Sequence, residues 1–172
     1  MQTIFKKLLN TAYKILSVHR FLKSPRQVIK FQKSNFLLTV ITFNNVEILR
    51  KQHEYLKKFL NTPHDYLVAN NSNNPIISKE IENFCHDHNV SYVKIPWNPL
   101  TGVRASGSHG IALNWVYQNI IQKYQPKYFG FLDHDIFPIR EAILSDKMAL
   151  GFYGAIRKRK EPFWYLWPGF SF

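Results

Sequence analysis

Two aspartates separated by one residue are the clearest chemical feature of this sequence. Asp133 and Asp135 follow an apolar run at residues 127–132, which is typical of a buried strand. On an extended backbone the side chains at i and i+2 point to the same side, so we expect the two carboxylates to converge while His134 faces away. Such a pair repels itself unless a cation lies between, and Mn²⁺ or Mg²⁺ with phosphate oxygens as further ligands fits that need. The alternative is two solvated carboxylates in a turn.

A second candidate site is the glycine- and serine-rich stretch at residues 104–110, which opens a predicted helix. A helix N-terminus attracts phosphate, and Arg104 adds positive charge there. Ser106 or Ser108 can cap the helix, and two glycines allow a close backbone approach. The alternative is an ordinary capped helix start. His109 can reach the same pocket or serve a structural purpose.

The single cysteine, Cys85, excludes an internal disulfide and favours a reducing, cytoplasmic location. It lies beside His86 and His88 in a predicted helix. Residues i, i+1 and i+3 of a helix do not all face one point, so we do not expect zinc binding there.

Apolar, β-rich runs alternate with helical patterns along the middle of the chain. The predicted strands are residues 36–43, 66–69, 90–95 and 127–132, and the predicted helices are residues 46–60, 75–88 and 108–124. This βαβαβαβ order predicts an α/β domain with a Rossmann-like, mostly parallel sheet flanked by helices. Ligands of such sheets bind at the carboxyl ends of the strands, where Asn44, Asn70, Asn71 and the Asp133/Asp135 pair lie.

Four motifs in this order resemble the family-2 glycosyltransferases, which have the GT-A fold. They are Thr42-Phe43-Asn44 after the first strand, Asn70-Asn71-Ser72 after the second, the glycine-bearing segment 102–114, and Phe131-Leu-Asp-His-Asp-Ile-Phe-Pro138. Together the motifs cover about residues 36–140. The resemblance implies transfer of a sugar from a nucleotide diphosphate sugar, most typically a UDP-sugar, to a hydroxyl of a glycan or lipid-linked acceptor.

The resemblance also implies individual residue functions. Asp133 would help to hold the ribose or base as well as the metal, Asp135 would bind the metal on the donor diphosphate, and Thr42 and Asn44 would line the nucleoside pocket. The family usually has an acidic residue after the second strand, where this chain has Asn70 and Asn71. An amide presents a different hydrogen-bonding pattern to a base, so the nucleotide stays open.

The C-terminal part of the chain contains the candidates for acceptor binding. Residues 139–148 predict a short helix and residues 151–156 a strand. Trp164 and Trp167 suit stacking against sugar rings, with core packing as the alternative. In the resembling family the catalytic base lies well after the D-x-D motif, and Glu161 is the only acidic residue among the last 25. We expect the acceptor-binding part to be incomplete in this chain.

Positive charge is concentrated at the N-terminus. The formal net charge is +12, and residues 1–33 carry eight Lys or Arg and no Asp or Glu. Apolar residues from Ile4 to Leu16 recur at three- and four-residue spacing, which predicts a basic amphipathic helix. This helix suits an anionic membrane surface at the inner face, or packs against the domain. We therefore divide the chain into this segment, 1–33, and a nucleotide-sugar-binding domain, 34–172.

Other functions would explain parts of this pattern. A catalytically silent nucleotide-binding module, or a basic module that binds membranes or nucleic acid, would account for the charge alone. A nucleotidylyltransferase would use similar carboxylates but needs a glycine-rich basic loop after the first strand, where this chain has Asn44-Asn-Val-Glu47. Since eight of the twelve units of charge excess lie in the N-terminal segment, we do not expect nucleic acid as the partner.

Overall fold

A computed structural model describes residues 8, 11, 27–31, 35–98, 100–151, 153–158 and 164–171, the side chains of 155–158 and 164–170 excepted. Its strands are β1 Gln27–Val28, β2 Phe36–Thr42, β3 Asp65–Asn70, β4 Ser91–Lys94, β5 Tyr128–Asp133, β6 Gly154–Lys158 and β7 Trp164–Ser171. Its helices are α1 Val46–Phe59, α2 Pro75–Asp87, α3 Ala105–Val116, α4 Gln122–Tyr124 and α5 Ser145–Met148, and a π-helical segment, Tyr117–Ile121, joins α3 to α4.

The described strands form one mixed sheet in the order β1-β4-β3-β2-β5-β7-β6. The four central strands, β4-β3-β2-β5, are parallel, as the alternation of strands and helices predicts. The outer strands β1, β7 and β6 pair antiparallel. The α/β class and the mostly parallel core of the sheet are therefore confirmed.

Helices cover both faces of the parallel strands. Alternate residues of β2 separate the two cores: Leu37 and Ile41 pack with α3, whereas Val40 packs with α1 and α2. Every residue of β2 is buried, which explains its nearly continuous apolar sequence. Asn45 caps α1 by accepting from the Ile48 N–H at 3.0 Å, as its position before the helix predicts.

Two predicted elements differ in the structure. Residues 139–148 are helical only at α5, because Ala142 instead pairs with the end of α1, donating its N–H to the Phe59 carbonyl at 2.8 Å. The strand predicted at residues 151–156 begins at Gly154 and pairs with β7. The sequence pattern missed β7, since Trp167-Pro-Gly interrupts it; the register shift in the β6–β7 pairing lies beside this interruption.

Little of the N-terminal segment lies within the described residues. Leu8 and Thr11 are both helical, and the side chain of Leu8 is 64% exposed. The predicted amphipathic helix otherwise falls outside the described part of the chain, and its membrane contact stays a prediction. None of the helices that the structure describes is long and apolar enough to cross a bilayer.

Candidate functional site

A cavity opens where the chain reverses its direction of travel across the sheet. From β2 the chain proceeds to β3 and β4 on one side, and α3 then carries it across the other face to β5, on the opposite side of β2. Crevices at such a reversal are the usual ligand sites of open α/β sheets. The cavity encloses about 540 Å³ and is lined by Ile41, Phe43, Asn71, Gly102, Val103, Ala105, Ser106, Ser108, His109, Asp133, His134 and Asp135.

The two aspartates lie in a tight turn at the wall of this cavity. Asp133 is the last residue of β5, and its carbonyl accepts from the Ile136 N–H at 3.0 Å. Because the extended backbone ends at Asp133, the strand alternation does not apply beyond it, and His134 lines the cavity together with both carboxylates. The expectation that His134 faces away was wrong for this reason. Asp133 and Asp135 share the cavity as expected.

Gln52 of α1 fixes this turn from beneath. Its side chain is fully buried, and its Nε2 donates to the carbonyls of Asp133 at 2.8 Å and Ile136 at 2.6 Å. The hydroxyl of Tyr66 in turn donates to Gln52 Oε1 at 2.7 Å. Burial raises the pKa of Tyr66 well above its usual value, so the hydroxyl remains a donor at neutral pH. A buried amide thus determines where the aspartates stand.

His109 of α3 lies beside one of the aspartates. Its Nε2 is 3.2 Å from Asp133 Oδ1, which is an ion-pair distance when the ring is protonated. The angle between the two groups does not satisfy a hydrogen bond, and Nε2 has no hydrogen-bond partner among the described residues. His109 therefore lines the cavity with its Nε2 buried against Asp133.

The first turn of α3 forms the wall across from the aspartates. Arg104 is the N-cap residue, and its side chain makes no capping hydrogen bond to the first turn of the helix. Neither Ser106 nor Ser108 caps the helix, contrary to the expectation, because the helix starts earlier, at Ala105. Gly107 serves packing: a Cβ there would stand 2.7 Å from Leu100 Cδ1.

Buried amides hold the loop before α3 in place. Asn98 Nδ2 donates to Asn71 Oδ1 at 3.1 Å and to the Ser108 carbonyl at 2.9 Å. Asn71 Nδ2 donates to Ser108 Oγ at 3.0 Å. Asn71 lines the cavity as expected, yet its side chain is already bonded to two neighbours, so part of its hydrogen-bonding capacity is structural.

The other residues predicted after β2 and β3 stand elsewhere. Thr42 is buried on the α1/α2 face, two positions after Val40. Asn70 lies on the same face and donates to Ser78 Oγ at 3.0 Å and to the Tyr92 hydroxyl at 3.1 Å. Asn44 has a left-handed backbone, φ 47°, and its Nδ2 donates to Asn73 Oδ1 at 2.6 Å. These amides join the loops after β2 and β3 and line no part of the cavity described above.

Lys94 supports the same loop from the end of β4. Its Nζ donates to the carbonyls of Asn70 and Ser72, which flank Asn71. Burial lowers the pKa of Lys94 to about 8. Lys94, at the end of β4, therefore helps to hold the loop that carries Asn71 to the cavity.

The other predicted site residues are Arg104, Glu161, Trp164 and Trp167. Arg104 is exposed at the start of α3. Glu161 lies outside the described residues. Trp164 and Trp167 belong to β7, which pairs with β5, and their side chains lie outside the description. Their proposed parts in catalysis and acceptor binding stay predictions.

Sequence reasoning missed Phe43, Gln52 and Asn98. Phe43 follows Ile41 with the same strand parity, so the alternation that buries Thr42 turns Phe43 into the cavity. Gln52 interrupts the apolar stripe of Leu49 and Leu56 on α1, and a polar residue in such a stripe signals a buried hydrogen bond. Asn98 gave no signal, since its loop has no periodic pattern.

The described residues contain no group of three or more His, Cys, Asp and Glu side chains placed to hold a metal ion. Cys85 is fully buried, and burial raises its pKa to about 12. A comparison with models of known protein families finds no match for the chain. A comparison with curated proteins finds no significant match.

Proposed function

We propose that this chain is a metal-dependent glycosyltransferase of GT-A type whose cavity binds a nucleotide diphosphate sugar. One observation carries the proposal: the Asp133–Asp135 turn and the uncapped first turn of α3 face one cavity at the reversal point of a parallel sheet. Its volume of about 540 Å³ lies within the range of roughly 300–1,000 Å³ that small-molecule sites occupy. The combination of acidic and anion-attracting walls suits a metal–diphosphate ligand.

The residues present fit a metal shared with the substrate. Mg²⁺ and similar hard cations are held by one or two carboxylates together with phosphate oxygens, rather than by a cage made only of protein. Asp133 and Asp135, which line the same cavity, would supply those carboxylates. Once bound, Mn²⁺ or Mg²⁺ would offset the charge that develops on the leaving diphosphate.

The protein's own groups would position the rest of the donor. The N-terminus of α3 favours negative charge through its dipole and the N–H groups of its first turn, so we assign the diphosphate to the space between α3 and the aspartates. Phe43 is 37% exposed at the cavity and offers a ring for the base or ribose to stack on. The His109 imidazole, 3.2 Å from Asp133 Oδ1, would offset part of the negative charge of that carboxylate when it is protonated.

Transfer itself requires an acceptor and a base. We assign the acceptor, a glycan or lipid-linked hydroxyl, to the side of β7, which lies next to β5 and carries Trp164 and Trp167. Glu161 remains the proposed general base. A chain that binds the donor but transfers no sugar would be a nucleotide-binding module, which is the second function that the same cavity supports.

Calorimetric titration tests the donor site directly. We expect UDP to bind the intact chain in the presence of Mn²⁺ and to bind at least tenfold more weakly without it, with GDP and CMP as comparison ligands. Asp135→Ala should abolish the metal dependence. Asp146→Ala removes an exposed aspartate of α5 and should change nothing. Tight binding that needs no metal and survives Asp135→Ala would refute the proposal.

A further inference from the structure

A basic cleft lies between α1 and α2 at the edge of the sheet where β3 and β4 begin. Two adjoining cavities of about 480 and 320 Å³ share His53, Lys57 and His88. We define the basic cleft by the Lys and Arg residues that line them: Lys30, Arg50, Lys57 and Lys58. The acids in the lining are the exposed Glu54 and the buried Asp65, so positive charge prevails at the surface.

The surroundings of His53 show the same excess of positive charge. The pKa of His53 is lowered to about 4, first by burial and next by the charge of Lys57. Its ring packs edge-on against those of Phe84 and His88, with centroids 5.5 Å away in both cases. Arg50 stacks over Phe84 at 5.2 Å. The cleft floor is thus aromatic, with His53 neutral at pH 7, while its rim is cationic.

The basic N-terminal segment joins the domain beside this cleft. β1 pairs with β4, and Lys30 follows it along the cleft wall. The Lys30 N–H donates to Ser91 Oγ at 2.9 Å, and Lys30 Nζ donates to Asn89 Oδ1 at 2.7 Å. Lys30, one of the eight cations of residues 1–33, is therefore also one of the four cations of the cleft.

A cationic surface attracts lipid headgroups and nucleic acid alike, and the apolar pattern decides between them. Phosphate attraction alone needs no apolar side chains. The N-terminal segment repeats apolar residues at helical spacing, and Leu8 within it is helical and 64% exposed. Exposed apolar surface of this kind is stabilised by insertion between lipid headgroups. A bilayer interacts with both the positive charge and the apolar side chains, whereas nucleic acid interacts with the charge alone.

We propose that the basic cleft docks the domain on an anionic lipid surface, in continuity with the N-terminal segment. The cleft lies at the amino ends of β3 and β4, whereas the candidate donor cavity lies at the carboxyl ends of β2 and β5. Since parallel strands separate the two edges, docking leaves the cavity open to water. This inference does not depend on the sugar-transfer proposal.

Vesicle cosedimentation of the full chain tests the docking surface. The probes are vesicles of phosphatidylcholine alone and vesicles that also contain phosphatidylserine. Only the phosphatidylserine vesicles should bind. The variant Lys57→Gln/Lys58→Gln leaves residues 1–33 intact and should lower the partition coefficient roughly thirtyfold, because each basic residue near an anionic surface contributes about 1 kcal/mol.

A matched variant controls for net charge. Lys123→Gln/Lys127→Gln removes the same charge from exposed residues of α4 and the turn before β5 that line neither cavity of the basic cleft, and should bind vesicles like the wild type. Equal losses in both variants, or no loss in Lys57→Gln/Lys58→Gln, would overturn the proposal. So would binding to RNA that depends on Lys57 and Lys58 when vesicles do not bind at all.

Discussion

The two edges of the parallel sheet use polar side chains in opposite ways. At the carboxyl edge, buried amides bond to the backbone and to one another, as Gln52 does beneath the Asp133 turn and Asn98 does beside Ser108. At the amino edge, the cations of the basic cleft are largely exposed and surround aromatic rings. A fixed cavity suits a small ligand of defined shape. An adaptable charged surface suits a partner that has no defined shape.

Replacing Gln52 by Leu should disturb the carboxyl edge most. The change leaves the carbonyls of Asp133 and Ile136 and the hydroxyl of Tyr66 without their buried partner, at a cost of about 3 kcal/mol in the free energy of unfolding. Urea denaturation measures this loss. UDP affinity should fall in the folded variant, while vesicle binding at the basic cleft should not change.

Tyr66→Phe serves as the graded control for that variant. It removes the hydroxyl but leaves both bonds from Gln52 to the turn, so we expect a loss of about 1 kcal/mol. If Gln52→Leu proved as stable as the wild type, the view that a buried amide positions the aspartates would be untenable.

Replacing Phe43 by Ala should weaken nucleotide binding without unfolding the protein. Stacking of a base on an aromatic ring contributes about 1–3 kcal/mol, which corresponds to a loss of affinity of roughly 5- to 150-fold for UDP. The ring is 37% exposed, so little core packing is lost. Trp97→Ala removes a ring that is 76% exposed and should leave the UDP affinity unchanged; equal effects would argue against stacking at Phe43.

His53, at the amino edge, should make the stability of the protein depend on pH. His53 has a pKa of about 4 in the folded protein and 6.5 when unfolded, so the unfolded state binds more protons between these values. Stability from this group is complete above pH 6.5 and is lost as pH falls toward about 4. We expect a loss of about 1–2 kcal/mol, discounted because the ring is only half-buried.

His53→Gln should remove this dependence between pH 6.5 and about 5, above the range where most carboxylates titrate. The groups that face the ring are Lys57, His88 and His64, all of which oppose its protonation. Denaturation with urea at a series of pH values measures the slope. His86→Gln, at a side chain that is 83% exposed, is the control; a slope that survives in His53→Gln would place its origin elsewhere.

The smallest effect is expected at Cys85, which lies in the core between the two edges. Its side chain is fully buried, and the raised pKa of about 12 keeps it a thiol. Iodoacetamide should leave Cys85 unmodified in the native protein at pH 8 and alkylate it in urea. Alkylation at equal rates in both conditions would contradict the burial of this helix face.

The sequence predicted the parallel strands and the large helices well, because β2 is a nearly continuous apolar run and α1 and α2 repeat apolar residues on one face. It could not predict β7, where Pro168 and Gly169 interrupt the pattern, or β1, whose two residues form a strand only through pairing with β4. Pairing between distant segments leaves no local pattern to detect.

The candidate site was predictable only in part. Asp133 and Asp135 follow a strand whose end can be predicted from the sequence, and both line the cavity. The sequence did not show which of two adjacent residues lines the cavity. Phe43 and Asn71 do so, whereas Thr42 and Asn70 are buried on the opposite face. The face of the sheet to which a side chain points depends on the pleat and on where each strand ends. An error of one residue in the strand end reverses the predicted face.

The most direct measurement is a crystal structure of the chain soaked with UDP and Mn²⁺, with Mn²⁺ located by its anomalous scattering. We expect a single strong peak between the carboxylates of Asp133 and Asp135, with the diphosphate next to the first turn of α3. UDP bound away from these carboxylates, or Mn²⁺ bound only elsewhere, would contradict the claim that this cavity is a donor site.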